Sequence, residues 1–305
     1  MGADRKALAD TLEHLDRELA ARAPEIHRAL HPGLDAGLVD DAMKAFSFDV
    51  PQAVKDLYTW HDGAEKVEGT ERAEVFPNAQ MLPLAEMSRL WAEILEANKA
   101  NEKNPWDRRW LPLFVGYKWA FWVVDCGLAA GPVKVFDWVD LPVTWTAYQD
   151  LNDWSERVLR CWVERAYRQG AHASVEEDRV KAAEVNRSMD GRADVEQLIA
   201  DLKSGSGPRY SDALAKLRTR LYPEAVPGLI RLMKSKERGR VAAAELLAWI
   251  GGAEALECLR LVSESEPDER IRRRAQHELQ EAKLRSIWDT ASQEEDRPRD
   301  PPRSS

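Results

Sequence analysis

No apolar run in this sequence approaches the roughly 20 residues needed to cross a bilayer. The first twenty residues, MGADRKALADTLEHLDRELA, are charged throughout and lack the apolar centre of a secretion signal. Cysteine is scarce, and Cys126, Cys161 and Cys258 are too few and too scattered for a disulfide framework. Neither Gly-rich phosphate loop, G-x-x-x-x-G-K-[ST] or G-x-G-x-x-G, is present. No Ser or Cys stands in a recognisable nucleophile setting: Cys126 follows a strand pattern and Cys161 lies among apolar neighbours. These absences predict a cytoplasmic protein with reduced thiols and no membrane partner. They also predict no enzyme, with no catalytic residue, no cofactor and no metal.

What the chain does contain is unevenly spread. At about 100–200 residues per domain, a chain of 305 residues predicts two domains. Ten of the 12 Trp fall between Trp60 and Trp162, so the two are differently built. The net charge is −9, but residues 1–206 hold 25 Lys and Arg against 36 Asp and Glu, while residues 207–286 hold 16 against 12. An acidic front half disfavours nucleic acid there and admits a basic partner.

Hydrophobic spacing divides the chain further. Leu8, Leu12, Leu15 and Leu19 recur every three or four residues and predict an N-terminal helix over 1–24, interrupted by Pro24. A second helix is expected from Asp35. In DVPQAVKDLYTWHDG, Asp49 is the expected N-cap, Pro51 occupies the first turn, and Val54, Leu57 and Tyr58 form the apolar stripe. Gly63 is expected to stop this helix in a left-handed conformation, which makes Trp60, His61 and Asp62 its C-terminal end. A further helix is expected over 85–99. WLPLFVGYKWAFWVVDCG and GPVKVFDW predict three short strands, the first a Pro-marked edge, and TAYQDLNDWSERVLRCWVERAY predicts a closing helix. Strands this close in sequence favour antiparallel pairing, so the fold class is α+β.

Residues 169–208 read as a helical and flexible connector ending in KSGSGP. From 209 to 286 the sequence repeats: EAVPGLIRLMKS (224–235) aligns with EALECLRLVSES (254–265) at an offset of thirty. This predicts a short all-α solenoid of about two and a half helix pairs, marginally stable alone and leaning on the helices of 170–203. The Pro- and charge-rich end, 287–305, reads as a disordered tail.

Over residues 25–168 the ordered set VPQAVKDLYTWHDG, MLPLAEMSRLW, WLPLF, FWVVDCG, GPVKVFDW and YQDLNDWSERVL resembles the SMI1/KNR4 family, or SUKH superfamily. Asp62 stands where that family usually has Asn. The resemblance implies a central, mostly antiparallel sheet with helices. It also implies a non-enzymatic, protein-binding role: many bacterial members are immunity proteins that neutralise polymorphic toxins. No catalytic residue is carried over. The 209–286 region is similar to short bacterial HEAT-like repeats through GRVAAAELLAWIG and ERIRRRAQHEL, which implies a protein-binding scaffold.

The candidate partner-binding residues are Trp60, His61, Asp62, Trp119, Trp122, Asp125, Trp138, Asp140 and Trp145. Trp is enriched at interface hot spots, although each of these also suits a core. Asp125, Asp137 and Asp140 could be imagined as a metal cluster, but carboxylates at strand ends and turns are common. His27 and His31 have the spacing of a zinc pair, but Arg28 stands where H-E-x-x-H needs Glu. In the repeats, Lys234, Lys236, Arg238, Arg240, Arg270, Arg272, Arg273 and Arg274 could form a basic ridge. That gives the alternative reading: a nucleic-acid-associated or scaffold protein acting through the repeats.

Overall fold

The computed structural model describes residues 2–65, 72–99, 106–116, 120–137, 143–190 and 194–295. The chain divides into two compact units, Met1–Arg192 and Ala193–Ser305.

The first unit is α+β. Helix α1 (Gly2–Arg22) buries Leu8, Leu12, Leu15 and Leu19, the four leucines of its stripe. It packs on α4 (Gln52–Trp60) and α6 (Leu151–Val163), so it belongs to this unit and is not a separate segment. Between α1 and α4 lie α2 (Pro24–Ala29), β1 (Leu30–Pro32) and α3 (Ala36–Met43). Asp35 caps α3, its carboxylate accepting from the Gly37 N–H at 2.8 Å. Asp49 does not cap α4: Pro51 takes the cap position, with no side-chain bond. Proline's fixed φ is already suited to a helix start, and its missing N–H costs little there.

The main sheet follows. Strands β3 (Glu74–Phe76), β4 (Ala79–Met81), β5 (Trp110–Val115), β6 (Ala120–Asp125), β7 (Val133–Asp137) and β8 (Val143–Tyr148) lie in sequence order, every neighbour antiparallel. Helix α5 (Leu84–Lys99) connects β4 to β5. β5 is an interior strand, contrary to the edge expected from its proline. Pro112 is accommodated because the register with β6 shifts between Pro112 and Phe114, and a bulge tolerates a residue that cannot donate to the ladder. Thr146–Tyr148, expected to open the closing helix, belong to β8 instead. Helix α6 starts only after Asp150, whose carboxylate caps the Asp153 N–H at 2.8 Å.

Alternation along β6 distributes its side chains to two cores. Val124 joins the main core with Leu113, Phe114, Trp154 and Trp162. Phe121 and Val123 join a smaller cluster with Ile94, Trp106, Trp110 and Phe136. The sheet is therefore covered on both faces, which accounts for much of the Trp content. The unit closes with β9 (Tyr167–Gln169), β10 (Val175–Glu177) and α7 (Arg179–Asp190). Helices α6 and α7 are tied by Arg157, which is 4% exposed and reaches Asp153, Asp190 and the Asn186 carbonyl.

The second unit is a solenoid-like stack of helices. α8 (Val195–Leu202) pairs with α9 (Pro208–Arg220), α10 (Val226–Met233) with α11 (Arg240–Ile250), and α12 (Ala253–Ser265) with α13 (Glu269–Glu295). These are three complete pairs, because α8 supplies the helix that the repeat alignment leaves out. KSGSGP is accordingly the turn within the first pair and not a linker between domains. α8, α10 and α12 stack in one layer, and α9, α11 and α13 in the other. Ala242, Ala243 and Ala244 let the α11 backbone approach its neighbours, and Leu217, Leu229, Leu246, Leu247 and Leu259 are fully buried. Buried Glu245 on α11 joins the layer, pairing with Arg218 of α9 and with Arg274 of α13 at 3.1 Å. α13 continues helically to Glu295, past position 287 where the tail was expected to begin; residues 296–305 lie outside the described ones.

Candidate functional site

The LYTWHDG stretch crosses an element boundary. α4 ends at Trp60, and His61 turns extended (φ −145°, ψ 142°) to open β2 (His61–Ala64), which pairs antiparallel with β1. The helix therefore stops two residues before the glycine. Gly63 does adopt the left-handed φ of +77°, but within β2, where its backbone lies directly against the Leu82–Pro83 peptide. A Cβ there would sit 2.7 Å from the Leu82 carbonyl carbon.

This ribbon fixes the polar side chains. His61 Nδ1 lies 2.7 Å from the His31 carbonyl oxygen, and its Nε2 lies 2.9 Å from Asp16 Oδ1 on α1. Both ring nitrogens thus face acceptor oxygens of the fold itself. His27 Nε2 approaches the same Asp16 oxygen at 3.2 Å. His31 Nδ1 donates instead to the Asp62 carbonyl at 3.0 Å. The helix containing His27 ends at Ala29, so His27 and His31 do not share a helix face as a zinc pair would. Asp16 is the residue that sequence reasoning missed, for it lies 45 positions from His61 and nothing in its local pattern marks it.

Asp62 faces another way. Its Oδ1 accepts the Leu84 N–H at 2.7 Å and caps the start of α5. Its charge also adds to burial in pushing the Tyr58 hydroxyl above its ordinary pKa. The capping role yields a prediction. Asp62→Ala is expected to destabilise the first unit by about 1 kcal/mol, the usual worth of a helix cap. Asp62→Asn keeps the accepting oxygen and should change stability by no more than about 0.5 kcal/mol. Denaturant unfolding of both variants checks this, and an equal loss in the two would contradict the capping role.

The other candidates are dispersed over the sheet. Trp60 is half-buried against the main core, its ring centroid 4.4 Å from that of His61. Trp122 is also half-buried on the core side, edge-to-face with Phe76 at 5.4 Å. Asp125 points to the opposite face, 6% exposed. It bonds the Gly127 N–H at 2.9 Å and Lys134 Nζ at 2.7 Å, and that ammonium lies 5.2 Å from the Trp110 ring. Trp119, Trp138 and Asp140 lie outside the described residues, and of Trp145 only the backbone, in β8, is described. The sheet thus separates Trp122 from Asp125, which the sequence lists within four positions of each other.

Burial disfavours the thiolate form at all three cysteines. Burial, with Asp125 nearby, pushes the Cys126 thiol up to about 12. Burial likewise raises Cys161 to about 12, and it raises Cys258. Among the described residues, no group of three or more His, Cys, Asp or Glu is arranged to hold a metal ion, and no helix is long and apolar enough to cross a membrane.

The basic positions of the second unit divide into two sets. Arg240 donates to the Met233 carbonyl at 2.8 Å and pairs with Glu266. Arg272 donates to the Glu266 carbonyl at 2.8 Å, Arg273 pairs with Glu269, and Arg274 pairs with Glu245 and Glu278. Lys234, Lys236, Arg238 and Arg270 are exposed. The ridge expected from sequence is therefore partly neutralised by carboxylates of its own unit. Comparison with protein-family models and with curated proteins gives no match for this chain.

Proposed function

We propose that the first unit is an SMI1/KNR4-type protein-binding module and that the chain is a non-enzymatic immunity protein of the cytoplasm, neutralising a toxin by covering its active cleft. The observation that carries this reading is the alignment of motif and element. The six stretches behind the resemblance fall on α4 with β2, on α5, and on β5, β6, β7 and α6, in that order, around one antiparallel sheet. The internal use of the His61 and Asp62 side chains supports a binding role over a catalytic one. The acidic balance of residues 1–206 supports a basic partner, such as a nuclease. Opposite charge would speed association, and steric cover would block the substrate. The solenoid-like unit, in this reading a HEAT-like array, extends the binding surface.

The test is co-expression with the product of a neighbouring toxin-like gene. Protection of the cells and recovery of a stoichiometric complex are the expected results. A chain that neither protects nor binds any such product would overturn the proposal.

A further inference from the structure

The two ends of the main sheet are finished differently. At one end, β3 is engaged by its own unit. The Trp162 indole N–H donates to the Val75 carbonyl at 3.1 Å, and the Glu74 carboxylate accepts the Val175 N–H of β10 at 3.0 Å. At the other end stands β8, bonded to β7 along one side and last in the strand order. An end strand directs a row of backbone N–H and C=O groups outward, and proteins guard such rows with charges, proline, bulges or a covering element. β8 reads VTWTAY, with no charge and no proline. Its register with β7 shifts only at the Tyr148 end, between Val133 and Lys134, so Val143 to Thr146 form a regular edge. Among the described residues no further strand pairs with it. The charge around this edge is of one sign. From Val135 to Glu156 the sequence holds five Asp and Glu and no Lys or Arg. Asp137 stands opposite Val143 in the register, and Asp150 follows the other end of the strand. Lys134, opposite Thr146, is held by Asp125 at 2.7 Å, and Asp153 is held by Arg157.

We propose that β8 docks an extended segment of a partner protein as a further strand of the sheet. The segment has a neutral, β-branched centre and Lys or Arg at its ends. Backbone bonds along Val143 to Thr146 supply the pairing, as in strand addition generally. The carboxylates of Asp137 and Asp150, one at each end of the edge, favour the cationic ends. A second copy of this chain fits less well. Antiparallel pairing of two β8 strands would bring the Asp137 end of one to the Asp150 end of the other, and like charges brought together across strands are unfavourable. This docking mode deepens, and rests on, the reading of the first unit as a binder of a basic protein. It assigns the edge through which that protein is held.

Fluorescence anisotropy with the full chain tests this. The probe is a labelled peptide of alternating Val and Thr with Lys at both ends. Its controls are the same peptide with Glu for Lys, and the same peptide with its central amides N-methylated so that they cannot donate. The Lys peptide is expected to bind at low salt, at least about tenfold more tightly than either control. Asp137→Asn with Asp150→Asn, which keeps an accepting oxygen at the α6 cap, should weaken it by about threefold or more. Thr144→Lys with Thr146→Lys gives β8 the charged guard of other edges and should weaken it by about tenfold or more. Unchanged thermal unfolding shows that the variants remain folded; if the lysine pair lowers it, the asparagine pair, which leaves β8 intact, decides. Equal binding of either control, unaltered binding by the asparagine pair, or no binding at all would each overturn the proposal. So would a chain that sediments as a dimer by itself and as a monomer with the lysine pair, since that gives the edge to a second copy. Peptide failure with cells still protected in the co-expression test strikes only this edge. Peptide binding without protection strikes only the toxin.

Discussion

Replacing Arg157 with alanine is expected to cost the first unit about 3–5 kcal/mol, the usual loss when one partner of a buried ion pair is removed. The guanidinium is held by Asp153 Oδ1 at 2.6 Å, by Asp190, and by the Asn186 carbonyl at 3.0 Å. Burial works against its charge, yet the two carboxylates more than offset that and hold its pKa above the ordinary value. Alanine would remove the cation that both carboxylates, each less than a fifth exposed, share. At about 2–4 °C per kcal/mol for a unit of this size, the unfolding midpoint should fall by about 6–20 °C. Trp fluorescence reads this transition, because ten of the 12 Trp lie between residues 60 and 162. A shift worth less than about 1 kcal/mol, no more than an exposed pair supplies, would mean that α6 and α7 are held by apolar packing alone.

Gly63→Ala should be comparably damaging for a different reason. A left-handed conformation costs an L-residue about 1–2 kcal/mol, and forcing an extra carbon into a filled space adds about 1–3. Both apply at Gly63, where φ is +77° and the new atom meets the Leu82–Pro83 backbone, which cannot rotate away as a side chain could. The expected loss is therefore about 2–5 kcal/mol. Gly63→Asn separates the two causes. Asparagine tolerates the left-handed region but still carries a Cβ. If close approach dominates, Asn destabilises about as much as Ala; if Asn restores glycine's stability, only the backbone conformation matters. Denaturant unfolding of the three proteins side by side decides between them.

Both residues show where local sequence pattern stops being informative. The helical stripe of Arg157's neighbours was legible, but its partner Asp190 lies 33 positions away on α7, in a stretch whose polarity reads as connector. Gly63 was legible as a left-handed residue. Its position inside a strand was not, because β1 and β2 are three and four residues long and take their form from each other. Short strands carry too few alternating positions to announce themselves, and β9 and β10, of three residues each, escaped for the same reason.

The sequence by itself determined the elements whose period is long enough to repeat. These are the leucine stripe of α1, the stripes of α5 and α6, the antiparallel strands β5 to β7, and the duplicated helices of the second unit. It also determined the division into a Trp-rich mixed part and an Ala- and Leu-rich helical part, since composition is a property of the chain. Only the tertiary structure decided that α1 belongs to the first unit and α8 to the second, because amphipathic helices declare an apolar face but not its partner. Only it decided that His61 serves Asp16 and the His31 carbonyl while Asp62 serves the start of α5. Adjacent side chains leave the backbone in different directions, and each bonds whatever the fold brings there. In the second unit, likewise, carboxylates placed by helix pairing neutralise part of the basic sequence and leave Arg231, Lys234, Lys236 and Arg238 exposed.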